Sequence, residues 1–381
     1  MISGISNTNM GSSNTNVGSR QRVSKASAWG LAIVGLTALA VSAGTNISGS
    51  LQAGFNYNLS IPSDSNKNAL HSYDAQSKTF TLNNAHLVFS GSDSGTGLGY
   101  TVETDFGSDA KMNRSMDGSL GAADIIDLQE GYITWAFGSG KTWILKAGKY
   151  ATYQGIEVVE GGANPTITRG FLFGLAEPVT HTGLDISNTM GMIDIHAAVV
   201  NGCDAFIDNN TMPSLVAKVG INLGSPLALT VSTMWGPEKA GNIDDKRFTL
   251  DATGVTKAIP MVDLWFQGLY GMEDKASLVT PGDDNSWMGF GLQPLVHFNN
   301  WFGLGLRYEF FSDAGGSRTL VPVKDLSVQN ISLTPTIWLT TTTMVRGEFR
   351  IDFASEDIYQ DADAKATGSQ MEIAADFVTG F

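Results

Sequence analysis

The chain has 381 residues and a formal charge of −14 at pH 7; 42% of its residues are hydrophobic, only 16% are charged, and 44 are glycine. The acidity argues against a nucleic-acid partner, and the single cysteine excludes an intramolecular disulfide framework or a cysteine-based zinc cluster. Mean hydropathy is near zero, yet no apolar run reaches the ~20 residues of a membrane helix, a combination that fits strands of a transmembrane β-barrel, where apolar residues are spread by alternation.

Residues 1–43 carry the pattern of an export signal. Arg20, Arg22 and Lys25 precede an apolar run from Ala28 to Val41, and Val41-Ser42-Ala43 offers small residues for cleavage. A short membrane anchor is the alternative, but the run is too short to span comfortably. Residues 1–19, rich in Asn, Ser, Gly and Thr, lie outside that pattern. The expected organisation is a signal peptide over 1–43 and a barrel domain over 44–381.

Beyond Gly44 the pattern has period two. Leu98, Tyr100, Val102 and Phe106 alternate with Glu103 and Asp105; Ile193, Ile195 and Val199 with Asp194 and His196; Leu215, Ala217, Val219 and Ile221 with Lys218. Later, Leu304, Leu306, Tyr308 and Phe310 oppose Arg307 and Glu309, while Val345, Phe349, Ile351 and Phe353 oppose Arg346, Glu348, Arg350 and Asp352. Met371, Ile373, Ala375 and Phe377 oppose Glu372 and Asp376. Every charge in these six segments falls opposite the aliphatic face, which predicts an apolar exterior and a polar interior.

The fold class expected is therefore all-β: a transmembrane antiparallel barrel of about 16 strands, from 46–58 to 369–381, with an inward-folded long loop. The strand expected at 247–253 has the shortest pattern, and the next is expected at 259–270. Short turns such as 138–140, 224–226 and 299–300 alternate with long loops, which puts both termini at the turn end, expected to be periplasmic. In hydrocarbon no water can satisfy an open strand edge, so the first and last strands must pair. Arg placed at the outward Leu306 or Phe349 should cost roughly 2–4 kcal/mol, and less at the inward Gly305 unless it meets closely packed wall residues.

Little in the sequence suggests catalysis, and no cofactor or metal is implied. None of the five histidines has the i, i+4 partner of a zinc helix, and none lies near a Gly-x-Ser-x-Gly elbow. His196 with Asp194 is the best acid–base pair, more simply read as wall lining. His181 is placed to anchor the loop before it. Acidic pairs such as Glu273-Asp274, Asp244-Asp245 and Asp283-Asp284 could hold divalent ions, but solvated loops are the simpler reading.

The exceptional stretch is 149–185. It is about three times longer than an ordinary connection, broken by glycines and prolines, and apolar at Ile156, Val158, Val159, Phe171, Leu172, Phe173 and Leu175. The run from Gly148 to Gly183, through Lys149, Thr152, Gly155, Glu157, Glu160, Asn164, Thr168, Arg169, Leu172, Phe173, Gly174, Leu175, Ala176, Pro178, Thr180, His181 and Thr182, resembles the signature of the OmpL-like β-barrel porins (porin-2). Weaker matches flank it at Leu128–Trp135 and Asn201–Asn210, where Cys203 stands at a position often Trp in the family. The C-terminal Phe381 also resembles the closing aromatic of bacterial outer-membrane barrels.

The expectation is an outer-membrane porin passing ions and small hydrophilic solutes by diffusion. The loop would constrict the pore through Glu157, Glu160, Arg169 and Glu177, with the two earlier glutamates opposed to Arg169 across the opening. Glu103, Asp105, Asp194, His196, Lys218, Arg307, Glu309, Arg346, Glu348, Arg350 and Asp352 would line the lumen. Within the last strands, Arg346, Glu348, Arg350 and Asp352 could pair along the wall. Expected partners are outer-membrane lipid and, as in many sixteen-stranded porins, two further copies in a homotrimer. A substrate-specific channel and a non-conducting structural or adhesive barrel are the alternatives.

Overall fold

A computed structural model describes residues 44–117, 125–224 and 226–381; the export signal expected at 1–43 lies outside the described residues. Alternation converts directly into strands: β1 (Asn46–Asn58), β2 (Thr79–Ser92), β3 (Leu98–Phe106), β4 (Ile126–Phe137), β5 (Trp143–Ala151), β6 (Thr180–Met190), β7 (Ile193–Val200) and β8 (Ser214–Asn222). They continue as β9 (Ala228–Gly236), β10 (Arg247–Ile259), β11 (Val262–Glu273), β12 (Asn285–His297), β13 (Phe302–Asp313), β14 (Leu326–Trp338), β15 (Thr343–Ala354) and β16 (Ser369–Gly380). Each pairs antiparallel with its sequence neighbours, and β1 pairs with β16, so the sheet closes on itself and leaves no edge.

Closure is also made at the chain end. Phe381 exchanges backbone hydrogen bonds with Gly49 at 3.0 and 3.2 Å. The connections are long at one end of the barrel (59–78, 107–125, 152–179) and short at the other (191–192, 260–261), as expected for an up-and-down barrel. Helix α1 (Ser108–Asp117) lies within one long connection.

One strand boundary differs from expectation. Residues 254–258 belong to β10, which runs to Ile259 and turns at Pro260-Met261. Gly254, Thr256 and Ala258 give that stretch too little apolar contrast for its alternation to be visible in sequence.

The two faces are inverted relative to a water-soluble protein. Phe349, Ile331, Leu333, Ile373 and Phe377 are exposed on the outside, whereas Arg307, Arg346, Arg350, Asp352 and Glu309 are almost wholly buried inside. Asp352 meets His71 of the 59–78 connection at 2.7 Å. What buries the arginines and Glu309 is not another sheet but the 152–179 connection. Three apolar clusters fasten it: Phe171, Leu172 and Ala176 against Leu269, Trp287, Phe311 and Val328; Val159, Phe173 and Val179 against Tyr73; and Tyr153 against a group centred on Tyr150. The inner side of Gly305 is packed too, because a Cβ there would meet the Pro165 carbonyl oxygen at 2.1 Å.

Candidate functional site

The loop leaves β5 and returns on β6, yet its polar partners lie on the far wall. Gln154 is hydrogen-bonded to Thr249, and the Gly155 N–H donates to Asp251 at 3.0 Å, both on β10. Glu157 lies 3.1 Å from Arg307 on β13, accepts from Gln293 on β12 at 2.9 Å and takes the Gly170 N–H at 2.7 Å. Because these are inward side chains, the connection folds inside the barrel and reaches across it.

Arg307 is the principal clamp. Its guanidinium donates to Glu157, to the Thr166 and Thr168 hydroxyls, to the Thr168 carbonyl and to Asn330 and Ser332 on β14. A planar five-donor fork is suited to such a site. Glu348 is its counterpart of opposite sign, accepting the N–H groups of Ile167 and Thr168 and the Thr168 hydroxyl. Arg346 donates to the carbonyls of Gly161, Asn164 and Thr166, and Arg350 to that of Arg169 at 2.7 Å. Glu309 accepts the Phe171 N–H at 2.7 Å.

The last strands thus pair less along the wall than expected. Arg350 meets Asp352 at 2.7 Å, but Arg346 bonds across the strand pair to Asp376, and Glu348 is used by the loop. Backbone polar groups of an irregular segment must be satisfied when buried, and these wall charges satisfy them.

The loop's own charges are distributed unequally. Arg169 is buried against the carbonyls of Val158, Val159 and Ile167, packs over the Tyr73 ring at 5.2 Å and lies 3.8 Å from Asp109. It therefore sits on the same segment as Glu157 and Glu160, not opposed to them across an opening. Glu177 is buried beside Gln267 at 2.6 Å, and burial, reinforced by Asp251, lifts its carboxyl well above the usual carboxylate range. Glu160 alone of the four keeps partial exposure; its carboxyl is pushed up mainly by burial, with His86 working the other way.

On the near side of the barrel, inward charges remain partly exposed: Glu103, Glu130, Lys146, Asp194 and Lys218 on β3–β8. Lys146 lies over the rings of Tyr132, Tyr150 and Tyr153 at 4.8–5.7 Å, and Lys218 over Tyr153 at 5.3 Å. His196 bridges Asp185 and Asp194, each at 3.1 Å, and Lys218 meets Asp194 at 2.9 Å. His181 is hydrogen-bonded to Thr152 at 3.1 Å and to the Gly202 carbonyl at 3.0 Å, tying the two ends of the loop together. Asp105 is fully buried, 2.7 Å from His86.

The model of the family described as "Putative beta-barrel porin-2, OmpL-like" matches residues 44–381. The chain belongs to this family. No curated protein matches it. The porin is similar in fold to the outer membrane channel DcaP of Acinetobacter baumannii (TM-score 0.61, 10% identity, 88% of this chain and 97% of that one). It is also similar to an anion-selective porin from Comamonas acidovorans (0.60, 12%, 88% and 99%) and to the trimer form of OmpT, an outer membrane protein of Vibrio cholerae (0.56, 9%, 88% and 99%). Family and fold place the porin in the bacterial outer membrane as a channel.

Two of the porin's interior charges, Glu130 and Lys146, escape the sequence reading. Strand parity is disturbed near both by a register shift between Glu103 and Thr104 and by Gly148, whose φ of 136° is a conformation L side chains rarely adopt. A Cβ at Gly148 would stand 2.2 Å from the Gly131 carbonyl oxygen. Glycines in the middle of adjacent strands were the available signal.

Proposed function

We propose that the porin passes ions and small hydrophilic solutes by diffusion through the part of the lumen beside β3–β8, and that the 152–179 loop narrows that passage. The supporting observation is the division of the interior charges. Arg307, Glu309, Arg346, Glu348 and Arg350 are buried with hydrogen bonds to the loop, whereas Glu103, Glu130, Lys146, Asp194 and Lys218 keep contact with solvent. In this reading Glu157, Arg169 and Glu177 hold the constriction in place and Glu160 faces the permeating ion. Sixteen-stranded barrels are wide enough to leave an aqueous channel, and charges at a narrow opening set which ions enter.

Reversal potentials across a salt gradient in planar bilayers test the reading. Glu160→Gln and Glu103→Gln should each reduce cation preference, and Lys146→Gln should increase it. An ion within a Debye length of about 8–10 Å feels such a charge, whereas Asp283→Asn on an outer loop should be screened. Equal, negligible shifts in all four would place the ion path elsewhere, and absence of conductance would favour a structural barrel. The export signal predicts a mature chain beginning near Gly44, read by intact mass. The homotrimer predicts three barrel masses per particle in detergent, read by light scattering.

A further inference from the structure

Where the loop edge approaches β2 and β3, one histidine and two glutamates converge. His86, Glu103 and Glu160 each offer one ligand atom, and these atoms all lie within 4.8 Å of one another. The Nε2 of His86 is 3.6 Å from Glu103 Oε2, close to the ~3.4 Å that separates two ligands of a tetrahedral ion with bonds of about 2.0–2.1 Å. Glu160 Oε1 is 3.9 Å from the same ring, at Nδ1.

Behind the histidine, buried Asp105 lies 2.7 Å from Nδ1. A carboxylate that accepts the Nδ1 proton fixes the tautomer in which Nε2 presents a lone pair, the arrangement found behind metal-binding histidines. The pair is built into the sheet, since His86 and Asp105 are directly opposed residues of β2 and β3. Glu103 is likewise opposed to Glu130 on β4, so a third carboxylate stands beside the first two. Among the described residues, Glu103, Glu130 and Glu160 make no ion pair with Lys or Arg. Glu103 and Glu160 keep side-chain exposures of 20% and 29%, which leaves them open to the lumen and free to close on an ion.

We propose that His86, Glu103 and Glu160 form a binding site for a divalent transition-metal ion of the zinc type within the lumen, with Asp105 positioning the histidine. An imidazole nitrogen beside two carboxylates favours such an ion over Ca²⁺ or Mg²⁺, which take oxygen ligands. One site end is on the wall and the other on the loop, so the bound ion links the two. The site differs from the buried His71, whose two ring nitrogens are both occupied, by Asp74 at 2.6 Å and Asp352 at 2.7 Å.

The test is calorimetric titration of Zn²⁺ into the folded barrel in detergent at neutral pH, with conductance recorded on the same preparation. Saturable binding of one equivalent is expected. His86→Gln and, separately, Glu160→Gln should weaken it at least tenfold, Glu160→Gln serving as the variant on the loop that leaves the wall untouched. Asp105→Asn, which removes only the support behind the histidine, should weaken it 10–100-fold. His71→Gln and Asp283→Asn should leave it unchanged. Absence of saturable binding, or binding that survives both His86→Gln and Glu160→Gln at full strength, overturns the site. A barrel that conducts but fails to bind Zn²⁺ loses the metal site and keeps the pore.

Discussion

Glu157 and Arg307 meet at 3.1 Å across the barrel: the loop carrying the glutamate leaves β5, and the arginine stands on β13, eight places away in a closed ring of sixteen strands. Neither side chain has more than 2% of its surface exposed. Breaking a buried pair by removing one partner is costly because the other charge remains, typically about 3–5 kcal/mol. Arg307→Met should therefore lower the urea midpoint of refolding strongly and expose 152–179 to protease. Pairing it with Glu157→Gln should recover part of the loss. Additive losses in the double variant would show that the two residues act separately.

Arg169 offers a second test of how the loop is held. Its guanidinium serves the carbonyls of Val158, Val159 and Ile167, so Arg169→Gln leaves buried acceptors without a donor. Each such group costs about 1–3 kcal/mol. The expected outcome is a looser loop and a larger unit conductance, with faster cleavage inside 152–179. A change in ion preference at constant conductance and constant cleavage would mean that the residue acts on the ion directly.

Substitutions on the two faces of the wall should differ in kind. Leu306→Arg and Phe349→Arg face lipid and should cost roughly 2–4 kcal/mol. Gly305→Ala adds only a methyl group, yet that methyl meets the Pro165 carbonyl oxygen of the loop. Gly268→Ala meets nothing within 4 Å. Refolding titrations should show Gly268→Ala neutral and Gly305→Ala destabilised, with Gly305→Arg worse than either. Equal behaviour of the two alanine variants would mean that the loop does not press on β13.

The first long connection should respond to pH. Burial and the neighbouring Arg350 work against a proton on His71, but Asp74 and Asp352 outweigh them and raise its pKa well above 6.5; Glu372, at 3.3 Å, and Gln370 also face the ring. A raised folded-state value stabilises fully below the unfolded value and is lost as pH rises through the folded one. Burial works against the Asp74 charge, but His71 overcomes it and holds that carboxyl below its usual range, so its contribution is lost as pH falls through that depressed value. Amide exchange in 66–77, corrected for intrinsic rates, should accelerate at alkaline pH in the native porin. His71→Gln should remove that dependence, and a flat profile in the native porin would contradict it.

The wall was legible in sequence to a degree the interior was not. Alternation reports the face of a side chain directly, because Arg307 and Leu306 must point opposite ways whatever else the chain does. It says nothing of what a side chain meets inside. Arg307 and Lys218 have the same parity, yet one is buried under the loop and the other reaches solvent. That difference depends on where the 152–179 connection lands, which is decided by contacts between residues 138–185 positions apart. The loop's Phe171, Leu172 and Phe173 signalled that it needed a dry site; Trp287 and Phe311, which supply part of it, look in sequence like ordinary strand residues.

The reach of the loop also constrains the order in which the molecule can be put together. Its partners Arg307, Glu309, Arg346, Glu348 and Arg350 all come from the final third of the chain, so a growing sheet that ends at β12 offers no wall acceptor to the N–H groups of Ile167, Thr168 and Phe171 and no wall donor to the Arg169 carbonyl. Full docking needs β13 and β15 in place, and the entropic cost of closing contacts 138–185 residues apart is met before those contacts repay it. Until then the interior stays wet, and three buried arginines remain hydrated. The loop is in effect a keystone, set only when the ring around it is complete.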